Sequence, residues 1–278
     1  MGTKFEIIGI NIDDLTYDEI LEKIDNIIAS GEQSYIVTVN PEIVVTAIKN
    51  KEYFTIINSA KIKTADGIGI IWASDYLAKP AYKGLVRNLV QLLASLFSIM
   101  FFTRFKRHIT TNRITGADLL PKIAEAAQNK AWRIFLLGAS EGIAETVIKK
   151  FSIIYPKAQF VGCYAGTPAE KDEKKIKDHI NTLKPDILFV AYGSPKQENW
   201  IYRNLSGLPT VKIAIGVGGA FDFHSDKIKR APEWMRKIGL EWFWRLLLQP
   251  KRIKRIWNAT IVFVSLIFRE KMKKKPAQ

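Results

Sequence analysis

Apolar runs of strand length alternate with amphipathic runs of helix length along most of this 278-residue chain, and that alternation limits its fold. The strand-like runs are rich in Ile and Val, and the runs between them space apolar residues at i, i+3 and i+4 as helices do. Predicted strands cover residues 5–10, 35–39, 132–137, 159–164, 186–191 and 212–217, and predicted helices 16–29, 116–129, 142–154, 169–183 and 198–204. Strands that alternate with helices of this length form parallel sheets with helical crossovers. The sequence therefore predicts an α/β fold with a Rossmann-like, mostly parallel sheet flanked by helices.

An apolar segment at residues 85–102 interrupts the alternation. It is flanked by basic residues and carries Arg87, Asn88 and Gln91 near its start. A spanning helix needs roughly 20 predominantly apolar residues, so the segment favours a helix embedded in a membrane interface, or a re-entrant insertion, over a span. A buried core helix is the alternative for a run of this length.

A second unusual segment runs from Asp226 to the C-terminus. Lys and Arg residues alternate in it with Trp, Phe and Leu on helical spacing, and an apolar run follows at residues 259–268. Such a composition is typical of membrane-surface helices; nucleic-acid-binding helices share it, but two apolar blocks flanked by cations favour lipid. We therefore divide the chain into a catalytic α/β domain, residues 1–225 with an apolar insertion at about 81–112, and a basic amphipathic helical appendage, residues 226–278, that associates with membranes.

The charge balance favours an anionic partner. The chain has 42 Lys and Arg residues against 27 Asp and Glu residues, a formal net charge of +15. Such a surplus suits anionic lipid, nucleic acid or a phosphorylated substrate. The single Cys163 excludes an internal disulfide and a cysteine-based zinc cluster, and no apolar signal segment follows Met1. These features predict a protein that is kept in the cytoplasm.

Polar residues follow several predicted strands directly. Because the carboxyl ends of parallel strands meet at one edge of a sheet, we expect these residues to line one cleft. Each also has a structural interpretation: Asp66 and Asn40, for example, could each cap the helix that follows. Their recurrence at successive strand ends is the argument for a ligand site. The polar runs are Thr38 to Asn40, Asp66, Arg113 to Asp118, Gly193 to Trp200 and Gly216 to Phe223.

Several sequence motifs of competing functions are absent. The chain has no G-x-G-x-x-G, G-x-x-x-x-G-K-[ST] or H-E-x-x-H motif and no D-x-D clamp, which disfavours a dinucleotide-dependent oxidoreductase and a P-loop NTPase. Its His, Cys and carboxylate residues form no cluster with metal-ligand spacing, so no metal site is predicted. A Rossmann-type nucleotide-dependent oxidoreductase, a non-enzymatic membrane-binding protein and a glycosidase with paired carboxylates remain as alternatives.

Seven short runs follow one another between residues 38 and 242. They are Thr38-Val-Asn40-Pro-Glu42, Ala65-Asp-Gly-Ile-Gly69, Arg113-Ile-Thr-Gly-Ala-Asp118, Gly193-Ser-Pro-Lys-Gln-Glu198, Gly216-Val-Gly-Gly-Ala-Phe-Asp222, Arg230-Ala-Pro-Glu-Trp234 and Gly239-Leu-Glu-Trp242, followed by Arg245 and Arg252. In this order they resemble the motifs of the WecG/TagA/CpsF glycosyltransferases, over about residues 5–257. The insertion before Arg113 and the tail after Trp257 extend beyond the family pattern, and both are membrane-like in composition.

The resemblance implies an inverting glycosyltransferase. Such an enzyme moves N-acetylmannosamine, or a related sugar, from its UDP donor to undecaprenyl-diphosphate-linked N-acetylglucosamine in the synthesis of wall teichoic acid or another surface polysaccharide. It implies an enzyme without a metal or other cofactor, peripheral or monotopic on the cytoplasmic face of the cell membrane. The expected partners are the UDP-sugar, the lipid-linked acceptor and the membrane surface but no nucleic acid, and a homo-oligomer is left open.

The matching motifs also suggest roles for individual residues. Asp66 is the predicted base that takes the proton of the acceptor hydroxyl. Arg113 and arginines of the appendage would offset the charge that develops on the diphosphate, and the appendage is expected to fold over the site only at a membrane. The predicted substrate-binding residues are Thr38, Asn40 and Gln197 for the sugars, Asp222 for the uridine, Arg113, and Arg245, Arg252 and Arg255 for the diphosphate.

Overall fold

The computed structural model describes residues 4–101, 112–237 and 239–274. Its strands are β1 (Lys4–Ile7), β2 (Ile10–Asp13), β3 (Ser34–Val39), β4 (Ile62–Ala65), β5 (Arg133–Gly138), β6 (Gln159–Tyr164), β7 (Ile187–Ala191) and β8 (Ile213–Gly216). Its helices are α1 (Tyr17–Ser30), α2 (Pro41–Lys49), α3 (Lys51–Ser59), α4 (Ile68–Ala78), α5 (Leu85–Phe101), α6 (Gly116–Lys130), α7 (Ile143–Ile154), α8 (Glu170–Leu183), α9 (Lys196–Asn204), α10 (Ala220–His224), α11 (Glu233–Lys237), α12 (Glu241–Leu248), α13 (Ile253–Trp257) and α14 (Phe263–Met272).

A six-stranded sheet forms the centre, with the strand order β4–β3–β8–β7–β5–β6 and every neighbouring pair parallel. The predicted α/β fold is therefore confirmed. Strand residues alternate between the two faces with period two: Tyr35, Val37 and Val39 pack on one side, and Ile36 packs on the other. Helices α2, α3, α4, α8, α9 and α14 contribute to the first core, and α1, α6, α7 and α10 to the second.

The prediction of one strand at residues 5–10 is wrong. The chain reverses at Ile8 and Gly9, which both have positive φ angles, and so β1 and β2 form a separate antiparallel hairpin. A left-handed turn of this kind suits glycine. Asp13 at the end of β2 accepts a hydrogen bond from the backbone N–H of Lys63 at 2.9 Å, which attaches the hairpin to β4.

Part of the apolar tail at residues 259–268 packs within the protein. Phe263 and Ile267 are buried in the core beside α2 and α4. The Nζ atoms of Lys271 and Lys274 donate to the carbonyls of Tyr76 and Leu77, each at 2.7 Å. These carbonyls belong to the last turn of α4, where helices leave acceptors unpaired. The end of the appendage is thus part of the α/β core.

The apolar segment that begins at Leu85 forms helix α5, which packs along α4. Among the described ranges, no helix is both long enough and apolar enough to cross a bilayer. The last residue of the predicted segment, Phe102, and the cations that follow it, Arg104, Lys106 and Arg107, lie outside the described residues.

Candidate active site

The carboxyl ends of four adjacent strands, β4, β3, β8 and β7, bring the predicted site residues to one edge of the sheet. Asp66 follows β4, and Asn40 follows β3. The turn from Gly216 follows β8, and the run from Gly193 to Gln197 follows β7. The strand order places these strand ends side by side, because the four strands are immediate neighbours with parallel direction, and the expectation that they line one cleft stays a prediction.

The carboxylate of Asp66 is not used as a helix cap. Its backbone N–H donates to the carbonyl of Val39 at 2.7 Å, which extends the pairing of β4 with β3 by one residue. The N-cap position of α4 is Gly67, and no side chain makes a capping hydrogen bond there. The capping interpretation of Asp66 is therefore wrong. Its half-buried side chain stays available at the strand end.

The surroundings of Asp66 raise its pKa to about 7. Burial among protein atoms is the largest cause, and the negative charge of Glu241 is the next. Arg113 and Arg245 act in the opposite direction. A carboxylate with a pKa near the working pH can accept a proton and release it again, which is the property of an efficient general base.

Arg113 lies beside Asp66 because the chain returns along the edge of the sheet. The backbone N–H of Ile114 donates to the carbonyl of Ala65 at 2.9 Å, directly next to Asp66. The Nη1 atom of Arg113 donates to the carbonyl of Arg236 in the appendage at 3.1 Å. Arg113 therefore touches both the strand end and the appendage.

Arg230 joins helix α6 to the appendage. Its Nη1 atom lies 2.6 Å from a carboxylate oxygen of Asp118, and its Nε atom lies 3.2 Å from one of Glu241. Burial tends to raise the pKa of Asp118, but the hydrogen bond and charge of Arg230 outweigh it and keep that pKa below its ordinary value. Glu241 is consequently fixed near Asp66, where its charge raises the pKa of the proposed base.

Arg245 reaches the glycine turn after β8. Its guanidinium lies 4.7 Å from the centroid of the Phe223 ring, a cation–π distance. A Cβ atom on Gly219 would lie 2.1 Å from Nη2 of Arg245, so this approach depends on glycine. Burial and the like charge of Arg255 lower the pKa of Arg245 below its ordinary value, and its Nε is buried with no hydrogen-bond partner in the described part of the chain. An anion entering the cleft would stabilise this cation.

The other two predicted diphosphate-binding arginines differ from Arg245. Arg255 forms two hydrogen bonds to Glu42, at 2.7 and 2.8 Å. This fork ties α13 to α2, so Arg255 reaches a diphosphate only by leaving or sharing Glu42. Arg252 closes a 3₁₀ turn at Pro250–Arg252, and its side chain lies outside the described residues.

Gln197 occupies the predicted place, but its polar atoms are used within the protein. Its Oε1 accepts from the backbone N–H groups of Gly193 at 3.0 Å and Gly218 at 2.9 Å, and its Nε2 donates to Glu198 at 2.8 Å. Gln197 thus joins the loops after β7 and β8. Because its carboxamide oxygen already accepts two donors and its side chain is buried, Gln197 has a positioning role, and its predicted role in sugar binding stays a prediction.

Replacing Gln197 with Leu is expected to lower the free energy of unfolding by about 1–3 kcal/mol, because two buried backbone donors lose their acceptor. Urea denaturation would measure this loss. The matched control is Lys196→Leu, one residue earlier on the exposed side of α9, which should stay within about 0.5 kcal/mol of the native chain. Equal stability of the Gln197→Leu protein would contradict the bridging role.

Three other predicted substrate-binding residues differ in how far the protein already uses their polar atoms: Asn40, Thr38 and Asp222. Asn40 caps α2, its Oδ1 accepting from the N–H of Ile43 at 3.0 Å, so a sugar could use only its amide nitrogen. Thr38 is buried in β3 and pairs in register with Thr64. Asp222 on α10 lies 3.8 Å from Nζ of Lys227. Their roles in binding substrate stay predictions.

Contacts within the chain hold the appendage over the strand ends. Gly239, with a φ of +78°, packs against Ile68 so closely that a Cβ there would lie 2.8 Å from a carbon of that side chain. The links of Arg113 to Arg236 and of Arg230 to Asp118 lie in the same region. These contacts place the appendage over the strand ends in this structure, and the expectation that it closes only at a membrane stays a prediction.

The sequence analysis missed the roles of three carboxylate and arginine side chains. Arg230 and Glu241 lie in two of the sequence motifs that resemble the family, and this position in the motifs could have indicated their roles. Glu198 is buried and receives hydrogen bonds from Ser194 at 2.7 Å, from Gln197, and from Tyr53 at 3.1 Å. Burial raises the pKa of Glu198 against these donors. Nothing in the local sequence indicated the long-range contact with Tyr53.

The turn Gly138–Gly142 has the G-x-S-x-G spacing of a hydrolase elbow. Its exposed Ser140 accepts a hydrogen bond from Nζ of Lys227 at 3.0 Å. Of the described histidines, His224 bonds the carbonyl of Ala117 and His179 packs against Phe135. No histidine base is placed beside Ser140 among the described residues, so the turn forms no catalytic triad there.

Comparisons with known proteins identify the family of this chain. The sequence model described as the Glycosyl transferase WecG/TagA/CpsF family matches residues 5–98 and 78–277. A Bacillus subtilis (strain 168) protein named N-acetylglucosaminyldiphosphoundecaprenol N-acetyl-beta-D-mannosaminyltransferase is 34% identical over 237 residues, covering 85% of this chain and 80% of the relative. A protein of the same name from Staphylococcus aureus (strain MRSA252) is 31% identical over 277 residues, covering 99% and 96%. The matched ranges include the strand ends and the appendage.

Proposed function

This chain belongs to the WecG/TagA/CpsF family of glycosyltransferases, and we propose that it transfers N-acetylmannosamine, or a related sugar, from a UDP donor to undecaprenyl-diphosphate-linked N-acetylglucosamine. The relatives' names supply the sugar and the acceptor. The observation that carries the proposal is Asp66, a strand-end carboxylate with a pKa raised to about 7 in a cleft that Arg113 and Arg245 line. The comparisons give no support to an oxidoreductase or to a non-enzymatic protein.

The proposed reaction is a single displacement. Asp66 removes the proton from the acceptor hydroxyl, and the hydroxyl oxygen attacks the anomeric carbon of the donor sugar. The bond from that carbon to the UDP oxygen breaks on the opposite face, which inverts the configuration. UDP leaves with the bonding electron pair, and Asp66 keeps the proton until the products depart.

Positive charge near the leaving group is the second requirement, because the diphosphate gains charge as the bond breaks. Preorganised donors aimed at such charge contribute a large part of catalysis. Arg245 fits this role best: it is half-buried, its buried Nε has no hydrogen-bond partner among the described residues, and it lies against the glycine turn. Arginine suits a diphosphate because its planar fork binds two oxygens at once. We propose that these cations serve where other transferases use a metal.

The remaining site assignments belong to the same proposal. Thr38 and the amide nitrogen of Asn40 would contact the sugars, and Asp222 would accept from the uridine. The enzyme would work on the cytoplasmic face of the cell membrane, where the lipid-linked acceptor lies, as a peripheral protein. No further cofactor takes part in this scheme.

A transfer assay tests this function. Purified full-length protein, a lipid-diphosphate-linked N-acetylglucosamine acceptor and a series of UDP-sugars should yield disaccharide fastest with UDP-N-acetylmannosamine or a close relative. A β-linkage in the product would agree with inversion. The rate should be unchanged in EDTA; a rate that collapses in EDTA and returns only with Mg²⁺ or Mn²⁺ would contradict the arginine account. If NAD stabilised the protein against heat and UDP did not bind, the alternative function of a nucleotide-dependent oxidoreductase would be supported instead.

A further inference from the structure

Helix α5 exposes a broad apolar face, while its packed side holds two buried polar side chains besides Leu92 and Leu96. The face that packs on α4 includes Asn88 and Ser95, which are 0% and 5% exposed. The opposite face carries large apolar side chains in contact with solvent. The exposed residues are Leu85, Val86, Leu89, Val90, Leu93 and Phe97.

The buried polar side chains are fully used in hydrogen bonds, so the orientation of α5 is specific. Asn88 accepts from the N–H of Tyr82 at 3.0 Å and donates to the carbonyls of Tyr82 and Gly84, each at 2.8 Å. Ser95 accepts from Nε1 of Trp72 at 3.1 Å. Rotating α5 to bury its apolar face would break these bonds and leave buried polar groups unpaired, which is costly.

The outward apolar face forms one continuous stripe. Val86, Val90, Leu93 and Phe97 follow the i, i+4, i+7, i+11 spacing of a single helix face, and Val86 is 73% and Leu93 65% exposed. Isolated apolar side chains on a surface are ordinary, but a contiguous stripe of this kind indicates an interaction site. Exposure of this apolar face to water is unfavourable, and burying it would be favourable.

We propose that this stripe of α5 docks on the surface of an anionic lipid bilayer, with the helix lying in the interface. The proposal rests on the proposed function, which places the acceptor in a membrane. Lys83 and Arg87 are exposed at the start of α5, where anionic headgroups would meet them while the apolar stripe enters the acyl boundary. Over its described residues, 85–101, the helix is not long and apolar enough to span the bilayer.

The charge of the chain favours lipid over a second copy as the occupant. Each copy carries a formal +15, and cations flank the stripe, so two stripes meeting face to face would bring like charges together. An anionic bilayer instead complements those charges. The stripe also has a direct connection to the site, because α5 is bonded through Ser95 to Trp72 of α4, and α4 begins beside Asp66. Docking through α5 would hold the cleft next to the lipid surface.

Vesicle cosedimentation tests the proposal with the full chain. The probes are vesicles of phosphatidylcholine alone and of phosphatidylcholine with phosphatidylglycerol. The variant is Val90→Glu with Leu93→Glu, and the matched control is Ile153→Glu with Ile154→Glu, two exposed apolar residues at the end of α7. The native chain and the control should bind the anionic vesicles, and the α5 variant should lose about tenfold or more in binding. All three proteins should unfold at similar temperatures, because the changed side chains are exposed.

Kinetics and size measurements separate the remaining outcomes. The α5 variant should be slower on acceptor embedded in vesicles and unchanged on a short-chain, water-soluble acceptor. Undiminished vesicle binding by the α5 variant would overturn the proposal. A native dimer that the α5 variant converts to monomer, with vesicle binding intact, would assign the stripe to a second copy instead. Absence of transfer by the native chain on both acceptors would refute the proposed function, while the vesicle result would still decide the role of α5.

Discussion

Replacing Asp66 with Asn is expected to lower kcat for sugar transfer by about 10²–10⁴-fold, the usual contribution of a positioned general base. Asn keeps the size of the side chain but cannot take a proton. The affinity for UDP should stay nearly unchanged, because the diphosphate is assigned to Arg245 and its neighbours. Transfer to a lipid-linked acceptor and UDP binding by calorimetry are the two measurements. The control is Asp178→Asn on the exposed side of α8, which should keep the native rate.

The same substitution should stabilise the fold above neutral pH. The pKa of Asp66 is about 7 in the folded protein and ordinarily 3.8, so folding takes up a proton between these values. The free energy of unfolding therefore falls as the pH rises from about 4 to about 7, and the full penalty is present above that window. At about pH 8 Asn should remove this penalty and raise the free energy of unfolding by about 1–2 kcal/mol, less than the pKa shift alone would give because water still reaches the half-buried carboxyl. An Asp66→Asn protein that is both inactive and less stable would indicate a structural role.

Replacing Arg245 with Gln is expected to lower kcat by about 10²–10³-fold, the cost of removing one preorganised donor to developing charge. Arg245→Lys should recover only part of the rate, since an ammonium cannot bind two oxygens in a planar fork. UDP should also bind more weakly, which separates this variant from Asp66→Asn. The control is Arg203→Gln, which removes a remote arginine paired with Glu173. Native rates for Arg245→Gln would exclude this arginine from the diphosphate site.

Arg245 also explains why the glycine turn after β8 has to lack side chains at Gly219. A methyl group there would overlap Nη2 of Arg245. The group that lies closest to the position of a Cβ on Gly219 is the protein's own guanidinium, which comes from the appendage.

The fold could be predicted from the sequence because its signals are local. Strands such as β3 and β8 are apolar on both faces, and helices such as α1 and α6 begin at threonines whose side chains cap them. The parallel order of strands then follows from the alternation itself. Asp66 was placed correctly at the strand end for the same reason.

The features that could not be predicted from the sequence depend on contacts between residues far apart in the chain. The positioning role of Gln197 depends on two backbone donors, Gly193 and Gly218, that its local sequence does not reveal. The fork between Arg255 and Glu42 joins residues 213 positions apart. The tail beyond Trp257 has the composition of a membrane helix, yet the groove beside α2 and α4 buries it. In each case a local pattern had two interpretations and packing decided between them.

The pH dependence of kcat/KM for transfer is the measurement that tests the role of Asp66 most directly. The free enzyme needs Asp66 ionised, so kcat/KM should fall about tenfold per pH unit below about pH 7, and this limb should vanish in the residual activity of Asp66→Asn. Stability measured over the same range would show that the loss is not unfolding. A profile that stays flat from about pH 9 to about pH 5, or the same acidic limb in Asp66→Asn, would contradict Asp66 as the base.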